Sequence, residues 1–364
     1  MGHPRRLYDA LLLVSFGGPE GQDEVMPFLE NVTRGRGIPK ERLAAVGAHY
    51  QYFGGISPIN QQNRDLLGAL RAEFDRRAVH LPVFWGNRNW DPLLSDAVLH
   101  MRAKGVRRAL AFFTSAYSSY SSCRQYRENI FDAMQTPDDG GSELVVERLG
   151  PYYNHAGFVT PFVDAAAAAI ERVPHDQRLH LLFTTHSIPL TMAETSGESG
   201  NAYVDQHLEV ANLVAAGVER LQGREVPWSL VYQSRSGPPQ VQWLEPDIED
   251  KLSQLAAEGV NAVVVVPIGF TSDHMEVMWD LDTQAANRAQ ELGLTFHRVA
   301  TPGCDPRFVS MVADLVDERQ QQVPVGQRSR LGVRAAAPDR CAIRCCQNLR
   351  ESRPAIGGVE APHG

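Results

Sequence analysis

Two segments of this chain present titratable or metal-capable side chains just past an apolar run. The first is Arg178-Leu-His-Leu-Leu-Phe-Thr-Thr-His186-Ser-Ile-Pro189, and the second is Asn261-Ala-Val-Val-Val-Val-Pro-Ile-Gly269-Phe-Thr-Ser-Asp273-His274-Met-Glu276-Val-Met-Trp-Asp280. Each reads as a buried strand that stops and delivers polar groups beyond its carboxyl end, where open α/β sheets bind ligands. Glu276, Asp280 and Gln284 recur at i, i+4 and i+8, so a helix there carries them on one face, with Asp273 and His274 in its first turn. That helix also carries Met275, Val277, Met278, Trp279 and Leu281, which leaves little room for a wide wet face, so its carboxylates are expected to line an interior cleft. A neutral imidazole facing such carboxylates suits a borderline divalent ion such as Fe(II), with proton transfer as the companion chemistry. The plainer reading makes His186 a hydrogen-bonded strand-end residue and the helix a solvated face with Asp273 as its N-cap. No H-E-x-x-H occurs, so zinc protease chemistry is not expected.

The first half of the chain carries groups suited to a ligand edge. Asn31-Val-Thr-Arg34-Gly-Arg36-Gly and Tyr50-Gln-Tyr-Phe-Gly-Gly-Ile-Ser57-Pro-Ile-Asn60 follow the first apolar run, and their Arg, Tyr and Ser side chains can bind carboxylates. The alternative is an ordinary βα loop with surface arginines. Thr114 to Asn129, containing Tyr117, Tyr120, Cys123 and Tyr126, is dense in hydroxyls and aromatics and fits a flat, partly polar ligand. Cys123 and Cys304 stand alone while Cys341, Cys345 and Cys346 crowd one short stretch; such a pattern makes no extracellular disulfide framework, and in a reducing compartment it reads first as a metal or cluster site.

The elements that must position these groups alternate. Apolar runs at Tyr8–Phe16, Leu81–Trp85, Arg107–Phe113, Leu179–Phe183, Ser229–Gln233 and Ala262–Val266 predict strands, and helical periodicity fills Asn63–Arg76, Asp91–Lys104, Pro161–Arg172, Ala202–Leu221 and Ile248–Glu258. The pattern occurs twice, with a break near Glu143 to Tyr153. An α/β fold with two doubly wound halves, their sheets mostly parallel and facing across a cleft, is the simplest architecture. The expected divisions are residues 1–155, 156–318, and a 319–364 tail made of a polar linker, a cysteine-bearing appendage and a disordered end. The 364 residues can bury two such cores. A formal charge of -8 and a pI near 5.8 argue against nucleic acid and give anionic membranes little to hold. With no apolar run of about 18 residues and no apolar leader after Met1, no integral membrane contact and a cytoplasmic location are expected.

Leu12-Leu-Val-Ser-Phe-Gly-Gly-Pro19, Asn31-Val-Thr-Arg-Gly-Arg36, Phe53-Gly-Gly-Ile-Ser-Pro58, Thr185-His-Ser-Ile-Pro189 and Gly269-Phe-Thr-Ser-Asp-His-Met-Glu276-Val277 together resemble the ferrochelatase family, in order over nearly all of residues 7 to 318. The resemblance implies insertion of Fe(II) into a porphyrin held between two Rossmann-like halves. It implies His186 and Glu276 as the iron-binding and proton-handling pair, Asp280 as the next member of an acidic path, and Ser57, Tyr126, Tyr50, Arg34 and Phe16 as porphyrin contacts, with Arg36 in the Arg34 loop. The chain departs from the family in three places: Phe16 stands where many bacterial relatives have Tyr, Gln284 where an acid is common, and His49 where some have Arg. The acidic, mixed stretch Glu20 to Asn31 lacks the hydrophobic lip of membrane-associated relatives, which favours coproporphyrin III over protoporphyrin IX. Transient contact with neighbouring haem-pathway enzymes is the further partner expected. Cys341-Ala-Ile-Arg-Cys345-Cys346 resembles the tail of those relatives that carry a [2Fe-2S] cluster. Such a cluster takes four ligands, and Cys123 is the expected fourth, Cys304 the runner-up. A zinc site or oxidisable thiols remain alternatives for the cysteines, and a porphyrin carrier, an iron-sulfur sensor or a cobalt or nickel chelatase for the whole chain.

Overall fold

In a computed structural model that describes residues 6–35, 37–137, 143–237 and 240–357, two four-stranded sheets account for all the strands. The first is built from β1 (Ala10–Ser15), β2 (Val83–Asn87), β3 (Arg108–Phe113) and β4 (Val145–Arg148), in the order β2-β1-β3-β4. Its connections contain α1 (Val25–Val32), α2 (Lys40–Tyr52), α3 (Ile59–Arg76), α4 (Leu94–Ala103) and α5 (Gln125–Met134). After α6 (Ala156–Ile170) the second sheet repeats the design with β5 (Leu179–His186), β6 (Trp228–Gln233), β7 (Ala262–Val266) and β8 (Thr295–Arg298), ordered β6-β5-β7-β8. It is interleaved with α7 (Leu190–Glu194), α8 (Ala202–Gln222), α9 (Ile248–Ala257), α10 (Met275–Val277) and α11 (Ala286–Glu291), and α12 (Pro306–Gln320) closes the repeat. Every strand pairing is parallel, as helical crossovers require.

Parallel strands covered on both faces are apolar throughout, and β1 and β7 are buried at every position. Successive side chains point to opposite faces, so Leu11 and Leu13 join one core with Leu66, Leu70 and Phe74 of α3, while Ala10, Leu12 and Val14 join another with Val98, Met101 and Ile130. The first of these cores also holds Leu181 and Phe183 of β5, Phe158 and Phe162 of α6, Val210 and Val214 of α8, and Phe308 and Val312 of α12. One continuous apolar region therefore spans both sheets. A separate core of Leu182, Val263, Val265, Leu252, Leu255 and Leu281 covers the other face of the second sheet.

Three local features differ from the sequence expectation. The stretch read as a break at Glu143 to Tyr153 begins with the edge strand β4, and β8 is a second unexpected edge strand; each is only four residues long and is held by pairing to β3 or β7. The acidic helix is α-helical only over α10, then becomes a π-helical stretch at Met278–Ala285. The tail past α12 is not a free linker where described. Arg328 pairs with Asp339 at 2.6 Å and Arg330 with Glu318 at 2.8 Å, while Cys341, Cys346 and Ile356 are buried against the body. Residues 358–364, the last part of the stretch read as disordered, lie outside the described residues. Among the described residues no helix is long and apolar enough to cross a membrane.

Candidate functional site

His186 is the last residue of β5, and β7 runs into the turn that leads to α10, so the two neighbouring strands deliver His186 and Glu276 to the same edge of the second sheet. His186 Nε2 lies 3.7 Å from Glu276 Oε1, and the two side chains are partly buried, at 31% and 50% exposure. His186 Nδ1 donates to the Ser187 carbonyl, which orients the ring so that Nε2 points at the carboxylate. Burial pushes the imidazole toward neutrality, but the Glu276 carboxylate, the Ser187 carbonyl and the Asp280 charge outweigh it and raise its pKa to about 9. Burial likewise favours neutral Glu276, and the His186 charge overcomes this and holds the carboxyl at about 2. The ligand-free pair is thus imidazolium and carboxylate, where the residue types alone pointed to a neutral ring.

Asp280 sits in the π-helical stretch, in contact with the end of β6. It accepts hydrogen bonds from the Ser234 hydroxyl and from Gln233 Nε2 at 3.4 Å, and Gln233 is the β6 residue paired with His186 in register. Ser234 has φ +63°, a left-handed backbone that marks a constrained turn. Burial, and after it the Glu276 charge, raise Asp280 to about 6 against the opposing pull of the Ser234 hydrogen bond. His274, not Asp273, caps α10: its Nδ1 accepts from Glu276 N–H at 3.2 Å, which leaves the ring proton on Nε2. Asp273 instead pairs with Arg298 at 2.9 Å.

The first half contributes an aromatic wall. Phe28 joins Phe16 at 6.2 Å and Tyr50 at 5.9 Å between ring centroids. Burial, with the Glu276 charge after it, pushes the Tyr50 phenol up, so α2 brings Tyr50 toward the acidic group. Tyr126 of α5 stacks on Phe113 at 5.0 Å, and the Arg88 guanidinium lies 4.3 Å from its ring and 5.6 Å from that of Phe16. Ser57 is buried in a turn tied to Pro19 by its own N–H at 2.8 Å, and Gly18 packs so closely on it that a Cβ there would fall 2.7 Å from Ser57 Cβ. Arg34 is exposed just past α1, near the strand-end loop that Asn31 grips through Asn89 O at 2.7 Å; Arg36 lies outside the described residues. His49 stacks on Trp279 at 4.0 Å, joining α2 to the π-helical stretch that also carries Gln284.

Arg88, Gln233 and Ser234 were not anticipated, although the rule that selected His186 reaches them: each stands at or just beyond the carboxyl end of a strand, β2 or β6. In the sequence nothing but that strand-end position marks them.

Cys123 comes together with Cys341, Cys345 and Cys346, from which it is far removed in sequence. Cys123 lies in a π-helical turn at Tyr120–Arg124 and is buried with Cys341 and Cys346, whereas Cys304 is exposed elsewhere. Hydrogen bonds from the Cys123 and Cys345 thiols, helped by Arg148 and Arg127, hold Cys341 below the ordinary thiol range. Arg148 Nη1 donates to Cys123 Sγ at 3.1 Å, and Cys345 Sγ lies 3.8 Å from Cys346 Sγ. Around these sulfurs Arg127 Nη1, Arg127 Nη2 and Arg148 Nε are buried with no partner, which is costly unless an anion belongs there. Among the described residues no three Cys, His, Asp or Glu side chains close on one point as a single metal ion requires.

Comparison with known proteins follows the same outline. The profile of the family described as Ferrochelatase matches residues 8–320. The coproporphyrin III ferrochelatase of Streptomyces coelicolor is 53% identical over 369 residues, covering 98% of this chain and 97% of its own. The ferrochelatase of Rhodopirellula baltica is 45% identical over 353 residues, covering 96% of this chain and 97% of its own. Among solved structures, SirB from Bacillus subtilis with Fe3+ aligns at a TM-score of 0.52 and 12% identity over 87% of this chain and 98% of that one, a likeness of fold alone.

Proposed function

The chain belongs to the ferrochelatase family, and on that premise we infer that it inserts Fe(II) into coproporphyrin III, giving coproheme in haem biosynthesis. The observation that carries the reading is the meeting of His186 Nε2 and Glu276 Oε1 at 3.7 Å, with Asp280 behind them. Insertion replaces two pyrrole protons by one dication, so the site must offer a metal-binding pair and somewhere for protons to go. In this proposal His186 and Glu276 receive Fe(II) as substrate, and the Asp280 carboxyl, poised near 6, takes up a proton and passes it outward. Phe16, Tyr50 and Tyr126 supply flat apolar contact, and Ser57 and Arg34, with Arg88 over the Phe16 and Tyr126 rings, answer the carboxylates of the macrocycle.

The proposal includes a [2Fe-2S] cluster on Cys123, Cys341, Cys345 and Cys346. A cluster of this type spreads its thiolates over two irons. The donor set is four cysteines, and the unpartnered arginine groups around it suit the negative charge of such a centre. When bound it would supply one-electron redox chemistry and a cross-link between tail and body. A cluster of this kind, with Cys304 the one remaining thiol, fits a reducing cytoplasm.

Anaerobic incubation with Fe(II) and either coproporphyrin III or protoporphyrin IX, followed through the porphyrin spectrum, tests the assignment, and the visible absorbance of the purified protein reports the cluster. His186→Ala is expected to abolish insertion while the fold persists by circular dichroism; unchanged turnover in that variant defeats the assignment.

A further inference from the structure

His207 of α8 is fully buried and has no part in the site described so far, yet it touches groups at the ends of both strands that carry the site. Its Nδ1 lies 2.6 Å from the Tyr203 carbonyl oxygen, which can only accept, so Nδ1 carries the ring proton and Nε2 is left as an acceptor. The Thr185 hydroxyl fills that place, donating to Nε2 at 2.8 Å. Burial lowers the ring's pKa to about 3, so this arrangement holds throughout the neutral range. Thr185 directly precedes His186 in β5 and is itself buried. Its Oγ1 also lies 2.9 Å from Tyr203 Oη, which donates to the His186 carbonyl at 2.8 Å. Through these contacts α8 grips the end of β5.

The same ring reaches the end of β7. Tyr117 stacks on His207 with ring centroids 3.6 Å apart and donates its hydroxyl to Ile268 O at 2.8 Å, in the turn that leads from β7 to α10. Gln206, beside His207, holds the Tyr117 loop by accepting from Ser118 N–H at 2.8 Å and donating to Ser118 Oγ at 3.0 Å. Gly269, the next residue after Ile268, donates its N–H to Thr184 O at 3.0 Å. It packs so tightly on Thr185 that a Cβ there would fall 2.2 Å from Thr185 Oγ1, which only glycine avoids. Thr185, His207, Tyr117, Ile268 and Gly269 thus close a ring of contacts joining the two strand ends.

We propose that Thr185 and His207 are positioning residues for metal insertion: the Thr185 hydroxyl, held on His207 and pressed against Gly269, sets the backbone of His186 relative to the turn that carries Glu276, and the Tyr117 hydroxyl on Ile268 sets the same turn from the other side. This rests on the reading of the chain as an enzyme that inserts Fe(II) into coproporphyrin III. The 3.7 Å spacing of the His186 and Glu276 side chains is then fixed from beneath, by a buried polar group, while their outer faces stay free for the metal. Neither Thr185 nor His207 is a catalytic residue, since both are buried and act through the backbone.

The test measures Fe(II) insertion by wild type, Thr185→Val, Thr185→Ser and Tyr117→Phe, with the fold of each followed by circular dichroism. Thr185→Val keeps the size of the side chain and removes the hydroxyl. It is expected to lose roughly ten- to a hundred-fold in kcat/KM for Fe(II), as a misplaced catalytic group does, with KM for coproporphyrin III nearly unchanged. Thr185→Ser keeps the hydroxyl, loses a methyl and recovers most of that loss. A role in packing alone gives the reverse order, since valine fills the site and serine leaves a void. Tyr117→Phe keeps the stack on His207 and releases Ile268; it shows the same split between Fe(II) and coproporphyrin at a smaller loss, and it tests the proposal by itself if Thr185→Val does not fold. A folded Thr185→Val with wild-type kinetics, a serine variant as impaired as the valine one, or a Tyr117→Phe variant without the split each overturn the proposal. Failure of the underlying reading looks different: wild type itself then neither inserts Fe(II) nor binds coproporphyrin III in a fluorescence titration.

Discussion

The charge state of two residues sets the pH behaviour of this site. With His186 raised to about 9 and Glu276 held at about 2, the free pair stays charge-separated across the physiological range. In the proposed role of His186 as an iron ligand, Fe(II) binding expels its proton, since a protonated imidazole cannot ligate a metal, and metal uptake is coupled to pH. For a group whose pKa is raised, the competent neutral form grows as pH climbs toward that value. The expected profile of kcat/KM for Fe(II) therefore rises with pH up to about 9. Glu276→Gln removes the main group that raises His186, which shifts the rising limb to lower pH while weakening Fe(II) binding; a limb that stays in place in that variant would show that another group controls it. The placement of His186 at a strand end was legible in the sequence, as an imidazole after an apolar run with an acidic helix elsewhere. Its charge was not, because that depends on a 3.7 Å contact between residues on different strands and on the donation to Ser187.

At the scale of elements, six strands announce themselves by apolar runs, while β4 and β8 do not. Val145-Val-Glu-Arg148 and Thr295-Phe-His-Arg298 are too short and too polar for a periodicity to register, and only a neighbouring strand makes them extended. The acidic helix shows the opposite limit: its i, i+4, i+8 spacing fits an α-helix and a wider π-helical stretch alike, and tertiary contacts choose the second. Those contacts are visible at Trp279, stacked on His49 at 4.0 Å with Tyr52 at 5.6 Å and Phe53 at 6.4 Å, so α2 is pinned to the stretch that carries Asp280. His49→Ala removes the stack, worth about 0.5–1.5 kcal/mol beyond the area it covers. Hydrogen exchange is expected to accelerate over residues 40–52 by roughly three- to ten-fold and to stay the same in β1, a difference that vanishes if the stack bears no load.

At the scale of the molecule, two repeats of one topology suggest two halves that stand alone, yet their sheets share a core. Phe308 of α12 lies 6.1 Å from Phe112 of the first sheet and 6.4 Å from Phe158 of α6, inside the same apolar region as Leu181 and Phe183 of the second sheet. Arg77 at the end of α3 reaches across to Asp314 of α12 at 2.7 Å. The repeat was readable in the sequence because each half has its own strand-helix alternation. The shared core was not, since nothing local in Phe308 says which sheet it will meet. Joined in this way, neither sheet can unfold without exposing the apolar surface of the other, so the protein is expected to melt in a single calorimetric transition. Phe308→Ala leaves a cavity at the junction and should cost about 3–5 kcal/mol, lowering that transition by several degrees without splitting it. Two resolved transitions in the wild type, or a loss in Phe308→Ala confined to one of them, would mean that the halves fold apart.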